Sequence, residues 1–450
     1  MQYINLPETK IPVTKEADVI VVGGGPAGMG AGVRAALSGA KTVVIERFGS
    51  LGGMMTNGLM CINVGDPLGG LHTELFERLN AGAYCMNPLE RFPDLATNPL
   101  FHYFGPNIMR GRKTPAAFMA VDPEMTAITM NEMIEDSRAE LLLRTLFVDV
   151  VVDHDSIQAV VVENAGGRQA IRGKVVIDAT GRGDVVARSG APYKGAGNED
   201  GLPIPTGLMW MMGNVDYTRL FEYQKEDPDL KEVMARAKEK GDLPHYRAKN
   251  MDLYGGAYAG HPRLEMSPTL YPGDMLLWAP AVHEWGLNCA ESAEDINRAE
   301  IELRKHIVAE ADFLRKYVPG FEKAHISKIA PFLGIREGRH PQGEYFMKYE
   351  DIKNQASFED VALRRKSPDW GTPQDGSRLL SFDIPYRCFL AKKVNNLLLA
   401  GDNVSMEHKA LLQMRGFGMA IKTGEVAGTA AGIALKEGLN PKQIKWSKPL

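Results

Sequence analysis

The 450-residue chain is 44% hydrophobic, 24% charged and 8% aromatic, a globular balance that at roughly 100 to 200 residues per domain suggests two or three compact units. Its 52 Lys and Arg stand against 56 Asp and Glu for a net charge of −4, without the basic excess that a nucleic-acid partner calls for. Cys61, Cys85, Cys289 and Cys388 form no Cys-x-x-Cys pair, which argues against a zinc ribbon, an iron–sulfur cluster, a disulfide framework and a redox dithiol.

Residues 1–15 are polar and broken by Pro7 and Pro12, unlike the apolar core of a signal peptide. No stretch approaches the roughly 18 apolar residues of a membrane span, so a soluble, cytoplasmic protein with no membrane partner is expected. Asp18 to Val22, β-branched at four of five positions and stopped by glycines, reads as a buried parallel strand. From Pro26 to about Ser38 an alanine-rich helix follows, with Gly28, Gly32 and Ala36 every four residues on a face that a backbone can approach closely. Gly39 ends it, and Thr42 to Ile45 is a second buried strand closed by Glu46, completing a βαβ unit.

Gly69 to Leu79 reads as an amphipathic helix, whereas Tyr84 to Pro123 carries six prolines and reads as an irregular excursion. Asp122 to Arg138 is helical again. Leu146 to Val152, Ile157 to Glu163 and Gln169 to Ile177, with turn residues Asp155 and Gly166-Gly167 between them, predict a β-meander. Between Gly207 and about Gln374 aromatics increase, a long charged helix runs from Asp295 to Tyr317, and Met209, Met211 and Met212 beside Trp210 read as core. Near the C-terminus the strand Asn396 to Ala400 precedes a helix in which Ala420, Gly424, Gly428 and Gly432 recur every four residues. Such small-residue ridges let helices pack unusually close to one another or to a sheet, so the end of the chain is expected to return to its beginning. The expected fold class is α/β: a Rossmann-type dinucleotide-binding domain from residues 1–206 and 375–450, with a second, α+β substrate or cap domain over 207–374.

Gly23-Gly24-Gly25-Pro26-Ala27-Gly28 satisfies G-x-G-x-x-G between strand and helix, where Gly23, Gly25, Pro26, Ala27 and Gly28 form a tight turn with backbone N–H groups free for a pyrophosphate. Glu46, at the end of the next strand, suits both ribose hydroxyls and repels a 2′-phosphate, which disfavours NADP; Arg47 is placed at the cofactor beside it. Asp178-Ala179-Thr180-Gly181 and Gly401-Asp402 each end a strand in a way that a simple NAD domain does not require. Ala179, Thr180, Gly181, Gly401 and Asp402 are therefore assigned to a flavin, with Asp402 either a partner of the ribityl chain or an ordinary helix cap.

Pro26 to Gly28, Leu51-Gly52-Gly53-Met54-Met55-Thr56, Gly334-Ile335-Arg336-Glu337-Gly338-Arg339, Ile384-Pro385-Tyr386-Arg387-Cys388 and the Gly401 to Gly432 tail together resemble the FAD-dependent oxidoreductase family related to the glutathione reductase and fumarate reductase flavoproteins. The resemblance spans most of the chain and implies a glutathione reductase-like FAD fold and a redox flavoenzyme, without naming a substrate. It places Gly52, Gly53 and Thr56 near the flavin ring or its phosphates and the backbone of Val148 near adenine. The chain departs from its relatives in two ways. No second G-x-G-x-x-G is present, so electrons are exchanged with substrate, a carrier protein, oxygen or a transient nicotinamide. Arg47-Phe48-Gly49-Ser50 also stands where succinate dehydrogenase relatives carry a flavin-anchoring histidine, so FAD is expected to bind noncovalently, and His72 is expected to be a surface or packing residue.

Arg336 and Arg339, in a polar run with Glu337 and His340, suit a carboxylate clamp or enolate stabiliser, the alternative for Arg336 and Glu337 being a salt bridge at a domain interface. His408 and Arg415, in a loop between Asp402 and the last helix, are the leading catalytic candidates. His408 is placed either as acid or base or as a residue tied into the loop's own backbone. Tyr258, His261, Arg263, His283, Glu284 and Trp285 suit a cap over the ring; His283-Glu284 does not continue as H-E-x-x-H, so no metal is expected. Hydride transfer between a small polar substrate and flavin N5 is the expected reaction. A flavin monooxygenase and a redox-neutral hydratase or isomerase are the alternatives, and a homo-oligomer is compatible with either.

Overall fold

The computed structural model describes residues 4, 9–64, 68–87, 91, 118–197, 203, 204, 206–228, 230–242, 266–280, 287–368 and 379–450. Strand β1, Val13–Val22, begins five residues ahead of its apolar run, and only from Val19 onward is it continuously buried. Its polar start is held by the ladder, with Val13 opposite Ala170, so pairing rather than burial sets the boundary. Helix α1, Pro26–Leu37, has Gly25 as its N-cap and Pro26 in its first turn, where the missing N–H costs nothing. Strand β2 is Thr42–Ile45 and helix α2 is Gly70–Ala81. Within the proline-rich excursion, Cys85–Met86 pairs with Phe118–Val121; 88–90 and 92–117 lie outside the described residues. Helix α3, Pro123–Asp136, is capped by the Asp122 side chain, which accepts from the Met125 N–H, as an N-terminal aspartate should.

Strands β3 (Glu140–Leu142), β4 (Leu146–Asp153), β5 (Ser156–Asn164) and β6 (Gly167–Asp178) follow, then helix α4, Asp184–Ser189. The next strands are β7 (Gly207–Gly213), β8 (Met266–Pro268), β9 (Met275–Pro280) and β10 (His325–Ile329). They form an antiparallel sheet in the order β8-β9-β7-β10. Every residue of β7 is buried, its methionines and Trp210 included. Helix α5, Ala293–Tyr317, is capped by Ser292 and buries Ala299, Leu303, Ile307, Ala311 and Leu314, one apolar stripe at helical spacing.

The C-terminal segment adds strand β11, Leu397–Leu399, and helices α6, His408–Met414, and α7, Phe417–Glu437. Strands β3, β2, β1, β6 and β11 run parallel in that order, and β5 and β4 extend the sheet antiparallel from the first half of β6. The fold is thus mixed α/β of Rossmann type, with the two ends of the chain in one sheet. Helices α1 and α7 pack backbone to backbone. A side chain added at Gly424 would start 2.0 Å from the Ala27 carbonyl oxygen, one at Gly428 2.4 Å from that of Ala31, and one at Gly30 2.5 Å from that of Ile421. The ridge on α1 faces elsewhere than α7: Gly32 lies against Val44 of β2 and Ile134 of α3, so one small-residue face serves the sheet and α3 while another admits α7. Among the described residues no helix is long and apolar enough to cross a membrane.

Candidate active site

The three glycines of the first turn do different work. Gly23 has φ +104°, and a β-carbon there would lie 2.5 Å from the Ala179 carbonyl oxygen, while one at Gly28 would lie 1.7 Å from that of Gly23. These two let the turn close. Gly25 has an ordinary φ of −69° and nothing within 4 Å of the place a β-carbon would take, so the space above the first turn of α1 is open. Pro26 supplies no donor there, but the Ala27 and Gly28 N–H groups lack intrahelical partners, and together with the helix dipole they favour a bound anion.

A second glycine turn lies against this space. Gly52 and Gly53 have φ of +98° and +50°, and a β-carbon on Gly53 would sit 3.3 Å from Gly25 Cα. Thr56 Oγ1 donates to the Leu51 carbonyl at 2.6 Å, closing that turn from inside. Buried Glu46 accepts from the N–H groups of Gly24 at 2.7 Å and Phe48 at 2.8 Å. Burial raises its carboxyl pKa, an effect those two bonds oppose. Arg47 extends over the rings of Phe48 and Phe332, which stack at 4.7 Å; burial, then the Arg182 charge, depress its pKa. Thr145 N–H donates to the Glu46 carbonyl, so the start of β4 lies beside it, and half-buried Val148 occupies a bulge between Phe147 and Asp149.

The third wall comes from the C-terminal return. Ala179 N–H donates to the Val22 carbonyl, and Gly181 has φ +74°. Asp178, buried at the end of β6, accepts from Thr180 Oγ1 at 2.7 Å, Val186 N–H at 3.0 Å and Asn403 Nδ2 at 2.8 Å. It therefore ties β6, α4 and the Gly401–Asn403 turn together, and burial raises its carboxyl to about 6. Gly401, at φ +69°, has its β-carbon position 3.0 Å from the methyl of Ala27. Asp402 caps no helix, since Glu407 takes that position for α6. Among the described residues its carboxylate has no hydrogen-bond partner, and burial raises its pKa, with Arg415 opposing. An unpartnered, half-buried carboxylate beside an open anion cradle fits a dinucleotide whose sugar hydroxyls donate to one end while its phosphates occupy the other.

His408 opens α6, so the expected loop is a short helix, with Arg415 as its C-cap. His408 Nδ1 lies 2.8 Å from Glu337 Oε1. Glu337, 2% exposed, also meets His340 Nε2 at 2.6 Å and accepts from Gly197 N–H at 2.9 Å and Ile204 N–H at 2.6 Å. His340 Nδ1 lies 2.9 Å from the Met406 carbonyl. Burial raises the Glu337 carboxyl pKa, but the bonds to His340 and His408 and the Ile204 N–H outweigh it and hold the group well below the usual carboxylate range. The interface salt bridge foreseen for Glu337 is thus replaced by two histidines. Arg336 lies with its guanidinium 4.0 Å over the Trp278 ring, a cation–π contact. Arg339 bonds the Arg182 carbonyl and Asp184 and pairs with Glu291 at 3.4 Å. Tyr258, His261, Arg263, His283, Glu284 and Trp285 lie outside the described residues.

The sequence model of the family described as FAD dependent oxidoreductase matches residues 18–448. The chain belongs to that family. FAD is its cofactor, and the cradle over Gly25 and the lone Asp402 carboxylate suit the phosphates and sugar hydroxyls of FAD. Local likeness extends to the mitochondrial dihydrolipoyl dehydrogenase of Dictyostelium discoideum, 46% identical over 52 residues that make up 12% of this chain and 9% of that protein. The dihydrolipoyl dehydrogenase of Trypanosoma brucei brucei is 46% identical over 54 residues, 12% of this chain and 10% of that one. The chain matches about a tenth of the length of these relatives. Similar solved structures include an anhydrotetracycline hydroxylase from Streptomyces rimosus, at 14% identity and TM-score 0.47, with 94% of this chain and 63% of that chain covered. A geranylgeranyl bacteriochlorophyll reductase-like protein from Thermoplasma acidophilum has 13% identity and TM-score 0.46, with 94% and 80% covered.

Proposed function

We propose that this family member is a dehydrogenase or reductase that moves hydride between a small polar substrate and N5 of noncovalently held FAD. The reading rests on His408, held by the buried Glu337 carboxylate at 2.8 Å, a carboxylate whose charge in turn helps raise the Asp402 pKa. FAD, when bound, supplies a two-electron hydride acceptor or donor. The chain's own residues supply the rest: His408 handles the proton, Arg336 offers a positive face to a substrate carboxylate, and Trp278 holds Arg336 in place. Noncovalent binding is supported by Arg47-Phe48 after Glu46 and by His72, which is buried with Nδ1 accepting from the Leu68 N–H.

The test is an anaerobic screen of small alcohols and amines for bleaching of the oxidised flavin band, and of unsaturated acids for restoring that band after chemical reduction, with NAD(P)H scored alongside. A bleaching substrate is expected, and His408→Ala is expected to slow that bleaching by about 10²- to 10⁴-fold with FAD content unchanged. Oxygen uptake matched to hydroxylated product, or turnover that needs reduced flavin without net electron transfer, would replace this reading.

A further inference from the structure

Glu337, His340 and His408 gather residues far apart in the chain around one carboxylate, and their hydrogen bonds constrain where the protons reside. The Met406 carbonyl can only accept, so the His340 Nδ1 that faces it at 2.9 Å carries a proton. Nε2 of the same ring faces Glu337 Oε1 at 2.6 Å. That carboxylate is already surrounded by donors, the Gly197 and Ile204 N–H groups, which stabilise its ionised form. An ionised acceptor requires a proton on His340 Nε2 as well. His408 Nδ1, 2.8 Å from the same oxygen, is then a third kind of donor to it, and the lone pair of His408 is left on Nε2.

We propose that a buried His340 imidazolium–Glu337 carboxylate pair fixes His408 in its Nδ1–H tautomer and so presents Nε2 as a proton acceptor, which selects alcohols or amines as the substrate class. The proposal rests on the dehydrogenase reading for its chemistry. The O–H or N–H proton passes to His408 Nε2, and the neighbouring C–H hydrogen leaves with both bonding electrons to oxidised flavin, so the substrate becomes C=O or C=N. Glu337 and His340 are positioning residues in this account, since they act through His408. The pair is electrically neutral as a unit, which lowers the cost of burying it. When His408 takes its proton, the same carboxylate stabilises the new charge.

The three side chains also place potential ligand atoms within 4.8 Å of one another, as a metal centre would. The separations of 2.6 and 2.8 Å are those of hydrogen bonds, however; ligand atoms sharing a tetrahedral zinc at about 2.0 Å would stand about 3.3 Å apart.

The test is a nitrogen-15 NMR spectrum of the FAD-loaded protein, labelled at its histidine rings and recorded near neutral pH, with peaks assigned by His408→Gln and His340→Gln. Two protonated ring nitrogens are expected for His340, and for His408 a protonated Nδ1 with an unprotonated Nε2. If His340→Gln does not fold, the His408 pattern alone decides, and Glu337→Gln should abolish its single-tautomer signature while FAD stays bound. A His408 proton on Nε2, a singly protonated His340, or one chelatable zinc per chain on these residues would overturn the proposal. None of these results bears on whether flavin is bleached by a substrate, so the two readings fail separately.

Discussion

Gly25 and its neighbours show how glycine identity and glycine role separate at single positions. Gly23 and Gly28 are demanded by backbone approaches inside 3 Å, but Gly25 is demanded by nothing in the protein; its ordinary φ accepts any side chain. Gly25→Val is therefore expected to fold normally, by circular dichroism and thermal melting, and to lose most of its FAD. A folded variant with full flavin content contradicts the cradle. The pattern of glycines was readable in the sequence because a turn needs them at fixed spacing. The pairing of Asp178 with Asn403 was not, because it joins positions 225 residues apart, although the strand end at Asp178 was visible by itself. Glu337 and His340 stood in a visibly polar run, but the run could not say that the carboxylate would choose histidines over arginine.

His72 gives a residue-scale prediction of pH dependence. Burial pushes its imidazole down to about 4, with Glu425 opposing. In the unfolded chain the ring titrates near 6.5, so below that pH the unfolded state takes up a proton that the folded state refuses. Stability present above pH 6.5 is then lost as pH falls towards 4, by roughly 3 kcal/mol in all. His72→Asn, which keeps an acceptor for the Leu68 N–H, should show a correspondingly flatter stability curve over that window in urea melts. Equal slopes for the two proteins would contradict the buried neutral ring.

Among elements, the contact of α1 with α7 carries the largest structural demand. The β-carbon position of Gly424 lies 2.0 Å from a backbone oxygen, and no side-chain rotation relieves a clash between two helix backbones. Gly424→Val should cost about 3 kcal/mol or more, seen as a lowered unfolding midpoint, with FAD lost alongside because Gly401 and Ala27 separate. An unchanged midpoint would mean that the helices do not meet as described. Repeats of small residues at helical spacing made this contact legible in outline, although which α1 face met α7 was not, since α1 carries small residues on more than one side. Helix α6 was hidden for another reason: seven residues are two turns, too few for a 3.6-residue period to stand out.

At the scale of the whole molecule, the parallel sheet joins residues 13–22 to 397–399 through β6, and that closure brings Gly25, Gly53, Ala27 and Gly401 around one space. Local runs of β-branched and small residues specify each element, and the strand-glycine-helix order specifies the first βαβ unit. The route by which Glu337 reaches His408 depends on how β7 to β10 and the segment after them cross back over the sheet, and no short stretch of sequence encodes that. For the cofactor we propose phosphates above Gly25, sugar hydroxyls towards Asp402, and the redox ring on the side of His408.

An electron-density map of the yellow, FAD-loaded protein tests this most directly. One FAD per chain is expected, with its pyrophosphate over the first turn of α1, a ribityl hydroxyl bonded to Asp402 and the isoalloxazine facing His408 Nε2. A flavin whose phosphates lie away from Gly25, or whose ring is remote from both Asp402 and His408, would contradict it.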